Sequence, residues 1–295
     1  MQRRTNILVR IGRGLCLGLV LTVGATVPRT IAAQQPLANQ TPTRDLQYIG
    51  TNMLVGGVMA GVASAIRGRP VVKGFAQGAL GGAVSYLGKR ATSEDIPAAG
   101  ILGRQIGALG ASIIRSATFG SGLLVDTLIV PLGPLRGYVT LLDIGQTRVR
   151  VDLEEVGWLV YNLTQDDLTF DAGASLSSGS FVFTSEVGLR GARDRASGRA
   201  APGVIALRLD GEGNIPEDVL AHERVHINQF DQLKITAGLP LEGLARRGFS
   251  PGSRRILDWI DFGVGHWPFQ WTITGGWLPR ERQLFEIEAE YFETR

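Results

Sequence analysis

The chain has 295 residues, 44% of them hydrophobic, which supplies a sizeable buried core and excludes wholesale disorder. Its formal net charge of +3 comes from the first 33 residues, where Arg3, Arg4, Arg10, Arg13 and Arg29 stand without a single acid; the remainder holds 25 basic and 27 acidic residues. No concentrated basic patch is left to neutralise phosphates, so no nucleic-acid partner is expected.

Residues 1–33 predict an export signal: a basic start, an apolar stretch over 15–27, and the small pair Ala32-Ala33 before Gln34. The only cysteine, Cys16, lies within it, so the remaining chain carries no thiol and suits an oxidising compartment such as the periplasm or cell envelope. Residues 34–50, rich in Gln, Thr and Pro, predict a mobile leader.

Residues 51–136 form a Gly/Ala-rich region with apolar stretches at 53–66, 74–87, 98–114 and 117–135. Small residues recur every fourth position, at Gly57 and Gly61, at Gly74, Gly78 and Gly82, and at Gly103 and Gly107. On a helix that spacing makes a flat stripe that admits a neighbouring backbone. Two readings follow: a membrane-apposed helical hairpin over 53–135, or a tightly packed soluble layer. Each stretch falls short of the ~20 residues of a span, and Arg67, Arg69, Lys73, Lys89, Arg90, Arg104, Arg115 and Asp126 punctuate them.

Strand candidates follow at 138–142, 148–153, 158–163, 180–185 and 204–209, separated by turn signals such as Ser177-Ser178-Gly179 and by a mobile loop at 191–203. They predict an antiparallel sheet. From residue 214 helical signals return. Pro216, Glu217 and Asp218 suit a first turn and Gly238 a stop, with further helices over 253–262 and from 279 to the end. The expected class is α+β, with the sheet and the last helices in one region, 137–295.

The chemistry lies in His222-Glu223-Arg224-Val225-His226, an instance of HExxH. Residues four apart share one helix face, so both imidazoles can address one ion. Zinc suits two neutral nitrogens plus a carboxylate, with a fourth position left for water. Glu223 is the expected general base, taking a proton from the attacking water and returning it to the leaving amine. The chain has three histidines and spends two here.

A third ligand is required, and the terminal segment offers Phe285-Glu286-Ile287-Glu288-Ala289-Glu290. Here the sequence resembles the gluzincin metallopeptidases, particularly the membrane-associated heat-shock and prenyl-protein endopeptidases, whose downstream helix carries ExxA followed by an acid. Glu286, Ala289 and Glu290 match that pattern. The resemblance implies a zincin-like fold, Glu286 as ligand, and Glu290, in place of the usual aspartate, fixing a ligand histidine. Glu288, Glu293 and His266 remain alternative ligands. Gln229, one turn after His226, can hydrogen-bond near the site or face solvent. Tyr291 is a candidate to polarise the scissile carbonyl or a core aromatic, and Trp259, Trp267, Trp271 and Trp277 are expected to pack around the site. The expectation is an exported zinc metallopeptidase acting on a peptide or protein; the competing one is a non-catalytic envelope protein with a structural or vestigial metal site.

Overall fold

The computed structural model describes residues 42–94, 98–119, 127–140, 147–189, 197–238, 248–262, 266–267 and 283–293. The expected export signal, residues 191–196 of the expected loop, Trp271 and Trp277 lie outside them. The Gly/Ala-rich region folds as three helices, α1 (Pro42–Ile66), α2 (Val71–Thr92) and α3 (Ala99–Phe119). Their glycines sit where the backbones cross. A side chain on Gly78 would strike the Gly56 carbonyl, one on Gly82 the Asn52 carbonyl, and one on Gly88 the backbone of Gly107. Gly88→Val should therefore cost roughly 3 kcal/mol, the upper end for overpacking, because its obstacle is backbone that cannot rotate away. Gly50, with open space around it, should instead gain about 1 kcal/mol on substitution by Ala. Urea midpoints of the two variants would move in opposite directions.

Residues 42–50, read from composition as leader, are the first turns of α1. Asp45 and Tyr48 among them are engaged with the rest of the fold. Asp45 Oδ1 accepts from the Tyr86 hydroxyl at 2.5 Å and the Tyr291 hydroxyl at 2.6 Å, and Tyr48 stacks on Tyr291 with ring centroids 4.3 Å apart.

The apolar stretch at 117–135 is divided: its helix stops at Phe119, and Thr127–Leu132 returns as strand β1, paired with β2 (Leu135–Thr140). β3 (Arg148–Asp152) runs directly into α4 (Leu153–Leu163). The strand expected at 158–163 is thus the end of a helix. Asp152 caps that helix by accepting from the amides of Glu154 and Glu155 at 3.1 Å. Its amphipathicity is inverted: Glu154, Glu155 and Asn162 are buried, while Val160 and Leu163 face solvent. An apolar period read as a core face therefore misleads here.

Next come β4 (Thr169–Asp171), α5 (Ala172–Ser178), β5 (Phe181–Ser185), β6 (Gly198–Ala201) and β7 (Val204–Arg208). β6 occupies part of the expected loop. α6 (Glu217–Leu233) continues as a π turn through Lys234–Gly238, and α7 (Pro251–Leu257), the two-residue β8 (Ile260–Asp261) and α8 (Leu284–Glu293) follow. The expected helix at 253–262 is thus shorter and yields to a strand.

The class is α+β, with two four-stranded sheets, β1-β2-β3-β8 and β4-β5-β7-β6. Neither is purely antiparallel. β8 joins β3 in parallel, and β7 joins β5 in parallel. One face of α6 packs on the second sheet, Leu220 and Ile227 against Val182, Ile205 and Leu207. Val225 meets Ala289, Phe292 and Tyr86 of α8 and α2 in a separate cluster. The motif helix is therefore clamped between sheet and helical layer.

Candidate metal centre

His222 and His226 project from α6 and Glu286 from the first turn of α8. The sequence spacing supplied the first two, and packing of α8 on α6 brings in the third. Nε2 of His222 lies 3.0 Å from Nε2 of His226, and Glu286 Oε2 stands 3.5 and 3.6 Å from the two nitrogens. These are close to the edges of a tetrahedron with metal–ligand bonds of ~2.0–2.1 Å, which run to roughly 3.4 Å.

The outer hydrogen bonds decide which nitrogens face inward. His222 Nδ1 meets Glu293 Oε2 at 2.9 Å, and His226 Nδ1 meets Gln229 Oε1 at 2.7 Å. Both partners are acceptors; the Gln229 amide nitrogen is spent on Glu288 Oε2 at 2.8 Å and the Phe285 carbonyl at 3.2 Å. Each Nδ1 therefore carries the proton, assigned by this network, and each Nε2 turns a lone pair inward. Two lone pairs at 3.0 Å beside a carboxylate repel one another, and a divalent cation between them removes the conflict. Without an ion to claim that lone pair a proton competes for it: burial works against a charged His226, but a hydrogen bond to Glu286 and the charges of Glu223 and Glu286 outweigh it and raise its pKa. The donor set fits zinc in number, type and spacing.

The alternatives resolve by position. Glu288 is buried and faces away from the histidine pair: its carboxylate accepts from Lys89 Nζ at 2.7 Å, Asn52 Nδ2 at 2.6 Å and Gln229. The carboxylate hydrogen-bonded to His222 is that of Glu293, whereas Glu290 is exposed. His266 is fully buried beside Glu154, 3.8 Å away. Tyr291 is spent on Asp45. Trp259 is exposed, and Trp267 gives its indole N–H to Glu154 Oε1 at 2.7 Å.

Sequence reasoning offered Gln229 as a hydrogen-bond partner near the site but missed the chain that continues from it through Glu288 to Lys89 and Asn52 and ties the helical layer to the site. The trace of that continuation in the sequence was Lys89, a charge inside a glycine-rich stretch. Removing an outer partner of a metal ligand costs 10–100-fold in affinity. Gln229→Leu is expected to weaken zinc binding by about that factor, measured by competition with a chromogenic chelator; an unchanged affinity would show that the bond to His226 does not hold the ring.

Glu223 is 3% exposed and is not part of the donor triangle. It lies against the edge strand β6, where a Cβ on Gly198 would come within 2.6 Å of its Oε1. The Arg208 amide donates to the Ser197 carbonyl at 2.8 Å, so positions 197, 199 and 201 face β7. By the alternation of antiparallel pairing, Gly198 and Ala200 turn their backbone N–H and C=O to the outer edge. Among the described residues nothing pairs there. Further along β6, Ala200, Ala201 and Pro202 line a cavity of about 240 Å³ with Trp158, Phe230 and Trp267, and with Glu154 and His266 at its polar end. The Phe230 ring centroid is 6.5 Å from that of His226.

A buried ionic cluster braces the far end of α6. Arg104 Nε meets Asp231 at 2.6 Å and its Nη2 meets Glu155 at 3.2 Å. Arg136 pairs with Asp152 and Glu155. Lys234 Nζ lies 2.9 Å from both Asp152 and Glu154. Burial disfavours charge on Lys234, yet Glu155, Asp152 and Glu154 together raise its pKa.

No protein-family model, curated protein or solved structure matches the chain.

Proposed function

We propose that this chain is a zinc metallopeptidase of gluzincin type, with His222, His226 and Glu286 holding the metal and Glu223 as general base. The observation that carries the reading is the position of Glu223, a buried carboxylate outside the donor triangle and against β6, an edge strand among the described residues. A structural metal site has no use for a carboxylate there. A peptide backbone does, because an extended chain can add to an edge strand such as β6, whose outward side pairs with no other strand among the described residues. Its scissile carbonyl then passes in front of Glu223.

Zinc supplies a Lewis acid that acidifies water and polarises a carbonyl. The protein's own groups do the rest. Glu293 and Gln229 hold the imidazoles with Nε2 inward. Glu223 takes the proton of the attacking water and delivers it to the leaving nitrogen. The aromatic-walled cavity beside β6 receives a substrate side chain close to the scissile bond. The expected export signal fits a peptidase of the periplasm or envelope.

The test is zinc stoichiometry and cleavage of a peptide mixture by the full chain and by Glu286→Ala. The parent should carry one zinc and cleave; Glu286→Ala should lose both. A stoichiometric metal without cleavage would point to a structural site, and full zinc retention in Glu286→Ala would remove Glu286 from the ligand set.

A further inference from the structure

The layer of α1, α2 and α3 has two faces of different chemistry. Its inner side sends Asp45, Asn52, Lys89 and Arg104 into polar contacts with α6 and α8. Its outer side is apolar. α2 packs against both α1 and α3, and its outward stripe runs Lys73, Ala76, Leu80, Val84, Leu87 and Arg90, at successive spacings of three or four residues. Leu80 is 46% exposed and Leu87 49%, while Met53 and Leu54 of α1 and Leu102 and Leu109 of α3 are exposed to a comparable degree. Glycines at the crossings bring the helices close, so these side chains stand on a shallow surface rather than on separate ridges.

The charge at the α1–α2 end of this apolar field has one sign. No Asp or Glu occurs between Asp45 and Glu94, and Arg67, Arg69 and Lys73 are exposed at the turn. At the other end of the stripe Arg90 is paired with Asp45 at 3.7 Å and Glu94 at 3.9 Å, so the unbalanced positive charge is gathered at the turn. An apolar field with cations along one end complements an anionic lipid surface, where each basic group near the headgroups adds attraction.

We propose that the outer face of the α1–α3 layer rests on an anionic membrane surface, with Leu80 and Leu87 entering the headgroup boundary and Arg69 and Lys73 meeting lipid phosphates. α1 is long and apolar enough over Thr43–Ile66 to cross a membrane. Its inner side is nevertheless hydrogen-bonded to α8 through Asp45 and Asn52, so it lies with the layer. The face is remote from the residues of the metal centre, and the proposal does not depend on what that centre cleaves.

Flotation of the full chain with phosphatidylcholine vesicles, with and without phosphatidylglycerol, tests this. The parent should float with the anionic vesicles, and about ten-fold less with neutral ones. Leu80→Glu/Leu87→Glu should reduce flotation by about ten-fold while keeping the parent's melting temperature. Arg69→Glu/Lys73→Glu, a second variant that leaves the apolar field intact, should abolish the preference for phosphatidylglycerol. Equal flotation of parent and both variants would overturn the proposal, since anchorage would then lie elsewhere, as in residues 1–33. So would a parent that does not float, or a lipid-free dimer that Leu80→Glu/Leu87→Glu dissolves.

Discussion

Glu223→Gln is expected to leave zinc content unchanged and to lower peptide cleavage by about 10²–10⁴-fold, the range supplied by a positioned general base. Gln keeps the volume of Glu, so it still fills the space between α6 and Gly198. What it loses is the capacity to accept and return a proton. The donor triangle does not include position 223, so metal affinity and catalysis separate in this variant and fall together in Glu286→Ala. Elemental analysis and initial rates on one preparation make the comparison. Activity within a few-fold of the parent would dismiss Glu223 as the base and, with it, the mechanism.

The second large effect is on stability. Lys234→Met should destabilise the fold by about 3–5 kcal/mol, the cost of breaking a buried ion pair from one side. Lys234 is fully buried, and its ammonium is shared between Asp152 and Glu154. Without it, Asp152 keeps Arg136 and the amides of Glu154 and Glu155, but Glu154, which keeps the Trp267 indole, loses the ammonium 2.9 Å from its carboxylate. Adding Glu154→Gln should recover part of the loss, and urea denaturation of both single variants and the double measures the coupling. A pH dependence follows. Burial pushes the Asp152 carboxyl up, but Arg136 and Lys234 prevail and lower its pKa below the usual 3.8. A group so shifted stabilises the protein above its unfolded value and loses that contribution as pH falls through the folded value. Lys234→Met should therefore begin acid unfolding at a higher pH than the parent.

The residues legible in the sequence were those whose relation is local. His222 and His226 share a face because they are one helical turn apart, and no tertiary information is needed to see it. Glu286 was reachable only through the ExxA pattern, and the packing of α8 on α6 puts it beside the pair. Elsewhere tertiary context overrode local signals. The α4 segment exposes its apolar residues and buries Glu154 and Glu155, because Arg104, Arg136 and Lys234 converge there from three other elements. A hydrophobic period cannot register partners contributed from so far away. The same holds for residues 42–50, whose polar composition suggests a leader until Tyr86 and Tyr291 are seen to hold Asp45. β6 escaped notice because Gly198 and its small neighbours resemble a loop, yet smallness there is what lets Glu223 approach the strand.

The bond between Asp45 and Tyr291 joins residues 246 positions apart, and that between Asn52 and Glu288 joins residues 236 apart. Contacts so distant along the chain pay the largest loop-closure entropy and form late. Glu286 belongs to the helix that these contacts secure. Completion of the donor triangle therefore waits on these contacts. On the proposed reading, a nascent or partly unfolded copy, surrounded by extended chains of its own kind, holds no complete centre with which to cut them.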